Sequence, residues 1–267
     1  MQLLQYAVVV AGLLTNTAVK AMPTAGLEIS ELVYLLKGFK GEQLTNCDIS
    51  KAIMPKSSGP NYLAPPDKGL VLSRVVLGRG TQNYTCVDAT DASVPVAQGA
   101  VANLYDVSCL AAKRPELLHL LPDVIVNIEK STIEAAASIV SSMTRDKLLI
   151  GHHYFAPNNT IPVFDFRMGK SPSLIFRGKK DQGVPATTVA SKGIPTEQNG
   201  AVDWLRIVAI QSMSVGLKLV YRVQTAGGKG PSTCKGMPKS FEIQYATEYC
   251  ECSYDTISIS PVKANPF

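Results

Sequence analysis

Gly78-Arg79-Gly80-Thr81-Gln82-Asn83-Tyr84-Thr85-Cys86 is the stretch on which the reading of this chain turns. Asn83-Tyr84-Thr85 is an N-glycosylation acceptor, which has meaning only in a chain that passes through a secretory pathway. Read as a strand, the period of two sends Asn83 to one face and Tyr84 and Cys86 to the other. A sugar would then stand in water while the ring and the sulfur face inward. The segment points to an exported, sheet-based, disulfide-bonded protein. It names no reaction.

The N-terminus agrees with export. Leu3 to Val19 is largely apolar, and Val19-Lys20-Ala21 places short residues where a leader is cut, so residues 1–21 read as a signal peptide. Residues 22–68 then form an N-terminal segment and Pro-rich loop packing on the domain, and 69–267 a β domain. No later segment is long and apolar enough to span a bilayer, so no membrane span is expected after cleavage. The expected location is outside the cell, in the medium or at the wall. A net charge of +5 is too dilute to argue for nucleic acid.

Six cysteines, Cys47, Cys86, Cys109, Cys234, Cys250 and Cys252, favour disulfides over metal ligation in an oxidising compartment. Six allow 15 full pairings, and spacing alone does not choose among them. Cys250 and Cys252 lie two apart in a strand, with Cα atoms roughly 6.5 Å apart, so each is expected to pair elsewhere or one to stay free. No Cys-x2-Cys pair exists and the chain has 3 His, so no metal site is expected.

Strand signals run over Leu70–Leu77, Gln82–Val87 and Ala100–Val107. A helix over Pro115–Leu121, stopped by Pro122, follows. Ser131-Thr132-Ile133-Glu134 has capping-box spacing and opens a second helix through Met143. Both helices read as one insertion between strands. Earlier, Leu27–Phe39 fits a short helix or a strand. Sheet resumes at Leu148–Phe155 and Pro162–Arg167, joined by a hairpin tip that holds a second acceptor at Asn158. Arg167, Lys170, Arg177, Lys179 and Lys180 form a basic cluster; a solvated strand edge is its plain reading and an anion or polysaccharide site its sharper one. Trp204–Ser212 and Leu217–Thr225 make a hairpin, and Phe241 to Tyr249 alternates strictly. Eight or more strands with few helices predict a mainly β fold, an antiparallel β-barrel or β-sandwich with a short helical insertion.

These pieces resemble a known family. Gly78 to Cys86, Gly151-His152-His153-Tyr154-Phe155, Val202-Asp203-Trp204-Leu205, and Tyr221 to Gly228 with Cys234 and Tyr245-Ala246-Thr247-Glu248-Tyr249 are similar, in this order, to the domain of unknown function 3455 family. The likeness covers roughly Gly69 to Tyr249. It implies secreted fungal proteins, with bacterial relatives, for which no activity is established. It also implies a bond between Cys86 and Cys234, positions where bacterial members carry cysteines. Fungal members often bear the label malate dehydrogenase, but the residues do not support that. Gly78-Arg79-Gly80-Thr81-Gln82-Asn83 lacks the third glycine of a dinucleotide loop and runs into a strand rather than a helix. No cofactor is expected.

Catalytic signals are thin. His152 and His153 adjoin on a strand and point to opposite faces, so at most one serves a given site. Asp165 on the return strand could approach either, which gives a secreted hydrolase or isomerase using His153 and Asp165 as the alternative function. A binding surface is better motivated. Tyr84, Tyr154, Trp204, Tyr221 and Arg222 fall on strands, and convergence in a barrel mouth or cleft would suit a carbohydrate or small amphiphile. Against this stands core filling by Trp204 and the tyrosines. Arg222 shares a face with Lys218 and Gln224, and that face is expected to be wet. The function expected is a ligand- or glycan-binding interaction module.

Overall fold

The computed structural model describes residues 47–56, 62–144, 146–156, 160–194 and 199–254. The leader, the segment Leu27–Phe39 and the acceptor Asn158 lie outside the described residues. Eight antiparallel strands close into a barrel: β1 Leu70–Thr85, β2 Val96–Asp106, β3 Leu149–Ala156, β4 Ile161–Asp165, β5 Ile175–Val184, β6 Trp204–Ala209, β7 Leu219–Gly227 and β8 Ser240–Tyr254. Each strand pairs with its neighbour in the chain, and β1 returns to β8 from Leu70↔Tyr254 to Thr85↔Ser240. Closure removes the exposed edges that a sandwich would have to protect.

The two strand signals expected on either side of Arg79 are one continuous strand. Gly78 and Gly80 do not break β1; they make room inside it. A Cβ on Gly78 would stand 2.6 Å from the Tyr249 ring, and one on Gly80 would stand 1.9 Å from the Val101 carbonyl oxygen. The pair lets β8 and β2 press against the inner face of β1.

Alternation then sorts the residues. Inside the barrel, Val76, Leu104, Phe164, Phe176, Ile207, Val220 and Tyr249 form one apolar cluster. On the outer face of β1, β6, β7 and β8, a second cluster includes Val75, Trp204, Leu219, Tyr221, Val223, Cys250 and Cys252. That outer face is covered by the insertion between β2 and β3: α1 Ser108–Lys113, α2 Pro115–Leu118, α3 Leu121–Ile125 and α4 Lys130–Thr144. Ala52, Met54 and Leu63 of the N-terminal segment pack on it as well.

The insertion departs from its sequence reading in two ways. Pro122 does not end a helix but sits in the first turn of α3, where its missing N–H costs nothing. Glu134 does not close a capping box; it accepts a hydrogen bond from Asn103 Nδ2 at 2.8 Å, and α4 begins one residue before Ser131.

Arg79 pins the insertion to the barrel. It points outward from between the two glycines and is fully buried. Its guanidinium donates to the carbonyls of Ile125 at 3.0 Å and Ile128 at 2.8 Å, just past α3, and to Gln244 Oε1 at 2.6 Å on β8. A cation meeting the last carbonyls of a helix also complements its dipole.

Two disulfides staple the ends. Cys47–Cys109 ties the N-terminal segment to α1, and Cys86–Cys234 ties the end of β1 to the β7–β8 connection, the pairing the family resemblance implied. Cys250 and Cys252 are both free and buried, contrary to the expectation that at least one would bond. They share the outer face of β8 with apolar neighbours, and burial pushes both thiols up, Cys252 to about 12. Among the described residues, no helix is long and apolar enough to cross a membrane.

Candidate functional site

The five binding candidates do not converge. Trp204 and Tyr221 lie under the insertion and the N-terminal segment, with exposures of 1% and 0%. Tyr221 spends its hydroxyl on the Ala64 carbonyl at 2.7 Å. These two are core. Tyr154 is on the outer wall, where its hydroxyl reaches Asp165 Oδ2 at 3.4 Å. Tyr84 and Arg222 remain, and both occupy interior register positions at the same end of the barrel.

The alternative pair, His153 with Asp165, is not assembled. The β3–β4 register sets Asp165 opposite His152 and Phe164 opposite His153, so the two lie on opposite faces of the wall. His153 stacks on Phe164 at 4.3 Å inside the barrel, with Nδ1 2.9 Å from the Val163 carbonyl. A carbonyl only accepts, so Nδ1 carries the proton. Burial pulls the imidazole down to about 4, which leaves it neutral and a poor general base near pH 7. Asp165 is held below the usual carboxylate range, first by its hydrogen bonds from Arg167.

Outside, His152 belongs to a different arrangement. Its Nδ1 lies 3.0 Å from Asn103 Oδ1, and Asn103 in turn donates to Glu134. A groove of about 390 Å³ is lined by His152, Asp165, Arg167 and Met168. Its charges are already matched, Asp165 by Arg167, and among the described residues no serine or cysteine lines it. Chemically it is a solvated, neutralised surface.

The barrel mouth is different. It lies where β1, β3, β5 and β7 end and β2, β4, β6 and β8 begin. Arg222 reaches it from β7, between Tyr249 of β8 and Leu205 of β6. Its Nε and Nη2 both donate to the Asp203 carbonyl, at 3.0 and 2.9 Å. Below it the hydroxyls of Tyr245 and Tyr249 meet at 3.1 Å, and the His153 ring stands 5.7 Å from that of Tyr249. At the rim, Tyr84 stacks on Phe241 at 5.5 Å and donates to the Gly228 carbonyl at 2.7 Å. Burial raises the phenols of Tyr84, Tyr245 and Tyr249, while the Arg222 charge pulls all three the other way. They are neutral hydroxyls that can donate or accept. Arg222 also helps hold His153 neutral.

The face shared by Arg222 and Lys218 was expected to be wet. At Val220 and Arg222 it is the barrel interior, dry at Val220, while Lys218, Arg222 and Gln224 are each half-buried. Tyr245 and Tyr249 were missed as site residues, although their alternation with Phe241 already placed all three on one face. Among the described residues, no group of three or more His, Cys, Asp or Glu could hold a metal ion. The Gly-rich run Gly78 to Gly80 lies inside β1 and meets no helix N-terminus, so it forms no dinucleotide loop.

A family model described as "Protein of unknown function (DUF3455)" matches residues 66–251, a span that runs from just before β1 into β8. No curated protein and no solved structure matches.

Proposed function

This chain belongs to the DUF3455 family of proteins of unknown function, and we propose that it is an exported barrel protein that binds a small ligand at its mouth. One observation carries the reading. Tyr84 and Arg222, both legible in the sequence as contact residues, lie at the same end of the barrel, where Arg222 stands half-exposed over buried hydroxyls and rings. Aromatic faces beside polar tips are the usual lining of such sites. Binding is favoured over turnover because the one histidine at the mouth is neutral and its imidazole N–H is spent on a carbonyl.

Export is supported by the apolar leader, the acceptor at Asn83 and two disulfides, which persist in oxidising compartments. A glycan or an amphiphile both fit at this level. Saturation-transfer NMR against a panel of sugars and amphiphiles tests the reading. A hit lost in Tyr84→Ala and kept in Tyr154→Ala supports it; a hit that ignores Tyr84 but is lost in Tyr154→Ala moves the site to the outer wall. Expression with the native leader, followed by N-terminal sequencing and deglycosylation of the medium fraction, tests export and the use of Asn83.

A further inference from the structure

We infer that the ligand taken at the mouth is an organic anion, its acidic group held between Lys180 and Arg222 and its apolar body laid on Leu205. This rests on the mouth being the binding site. Leu205 is the interior residue of β6 at this end, half-buried and packed against the inner cluster. On one side its register partner is Arg222 of β7; on the other it is Gly183 of β5. A methyl placed on Gly183 would lie 2.8 Å from Lys180 Cε, 2.9 Å from Lys180 Nζ and 3.1 Å from Leu205 Cδ2. The ammonium of Lys180 therefore lies beside Leu205, across it from the guanidinium.

Lys180 is also on the interior register. It pairs with Ile207, a member of the inner cluster, yet its side chain is exposed, as a residue pointing out through an open mouth would be. The basic run of β5 divides here. Asp181 turns to the outer wall, where it pairs with Arg206, and Lys180 turns inward.

The charge balance is one-sided. Among the described residues, neither Lys180 nor Arg222 has a carboxylate within ion-pair distance. Arg222 meets only a main-chain carbonyl and neutral phenols, although a guanidinium keeps its charge at any physiological pH. Deeper on the same side, Gln82 lies on the inner register of β1 and is buried. A Cβ on Gly228 would be 3.0 Å from its Cγ and 2.8 Å from Tyr245 Cβ, so it adjoins the tyrosine floor. Its side-chain nitrogen is a buried donor with no acceptor. Two cations, an orphaned N–H and phenolic hydroxyls make a site rich in donors and short of acceptors. Burying such groups is costly until an acceptor arrives. A carboxylate, sulfate or sulfonate supplies it, and Leu205 and Phe155 offer apolar contact for the rest of the molecule. The outer groove offers no rival anion site, since Asp165 would face the ligand there.

The test uses two fluorescent probes of similar shape on the full, disulfide-intact chain: 8-anilinonaphthalene-1-sulfonate, an anion, and N-phenyl-1-naphthylamine, its neutral counterpart. The sulfonate should bind saturably and more weakly as salt rises. Lys180→Gln and Arg222→Gln should each weaken it at least about tenfold, the scale of one charge-assisted hydrogen bond, while moving the neutral probe less than about twofold. Lys180 is exposed, so its variant folds and keeps the test sound should Arg222→Gln not. Equal binding of both probes, indifferent to Lys180 and Arg222, overturns the anion inference; if Leu205→Gln still removes the neutral probe, the mouth itself stands. If neither probe saturates, both readings are overturned.

Discussion

Replacing Arg79 with lysine keeps a cation at the junction of barrel and insertion but removes the fork that holds it. The guanidinium serves Ile125 O, Ile128 O, Gln244 Oε1 and Gly80 O, all at 3.0 Å or less. A lysine ammonium on a single stem cannot reach both the α3 end and β8, so at least two buried acceptors lose their donor. Each such loss costs about 1–3 kcal/mol, so two of them at mid-range put Arg79→Lys at about 4 kcal/mol. Arg79→Met, which also gives up the helix-end charge, should cost about 1 kcal/mol more. Set against a typical domain stability of about 5–15 kcal/mol, either change is severe but survivable. Trp204 is the sole tryptophan and is buried beneath the insertion, so its fluorescence reports urea unfolding of the affected layer. With a slope of about 2–3 kcal/mol/M the midpoint should fall by about 1–2 M urea. Hydrogen exchange should locate the damage: amides of α3 lose protection before those of β4 and β5 on the far wall. A midpoint shift corresponding to less than about 1 kcal/mol, with α3 protection unchanged, would refute the view that Arg79 holds the insertion down.

Four further outcomes are expected. Ellman's reagent should find no reactive thiol in the folded protein and two after denaturation without reductant, since only Cys250 and Cys252 are free and both are buried; Cys234→Ser should cost up to about 5 kcal/mol by the chain-entropy argument, given a separation of 148 residues. Gly80→Ala should fail to yield folded barrel in circular dichroism or gel filtration, because its methyl would fall 1.9 Å from a backbone oxygen of β2 that cannot yield; a soluble, native-like variant would count against the closed register. Stability should also depend on pH through two buried groups of opposite sign. Burial lifts Glu251 to about 8 against the pull of Arg74, so the folded state keeps a proton that the unfolded chain releases above about 4.5, and stability is lost as pH rises from there to about 8. His153, lowered to about 4 from 6.5, contributes stability that is present above pH 6.5 and lost as pH falls towards 4. The two oppose each other between about 4.5 and 6.5, so the wild type should lose stability chiefly from 6.5 to 8, by at most about 1.4 kcal/mol per pH unit. Glu251→Gln should flatten that limb in urea midpoints; an unchanged slope would show that the carboxyl ionises freely.

Much of the wall could be read from the residues, and the reasons for what could not are specific. Period two along β7 and β8 was plain, and the placement of helices between β2 and β3 followed from their composition. Closure was not legible, because it depends on β1 meeting β8 across the whole domain, and no local pattern encodes a partner so distant in sequence. Alternation also fails to say which face is inside when both are buried. Tyr221 and Val223 look like a core face and Arg222 like a wet one, yet the first lies outside the barrel under helices and the second inside it. Trp204 misled for the same reason. His152 and His153 were correctly split between faces; only the β3–β4 register could show which of them faced Asp165. The proposed mouth is only partly legible in the sequence. Tyr84 and Arg222 were chosen, but Lys180 was lost among strand-edge lysines because the irregularity between Lys180 and Gln182 is invisible in sequence.

The motifs that carry the family resemblance can now be sorted by what holds them. Gly78 and Gly80 admit neighbouring strands, Arg79 anchors the insertion, and Trp204 fills the layer beneath it. Thr247 ties its hydroxyl to the Val223 carbonyl at 2.7 Å, and Glu248 meets His119 at 2.9 Å. Each of these would be required of the barrel whatever it bound. Arg222 is not explained in that way. It sits within the motif Tyr221 to Gly228, half-exposed, and a loop-anchoring role towards the Asp203 carbonyl needs only a neutral donor. A guanidinium there keeps a full charge at the edge of an apolar interior, a cost the wall does not demand. Lys180 lies outside those motifs. If the mouth is the site, its charge is built from one cation inside those motifs and one outside them, so any relative with a neutral residue at the Lys180 position should bind the same anionic probe more weakly and in the same place.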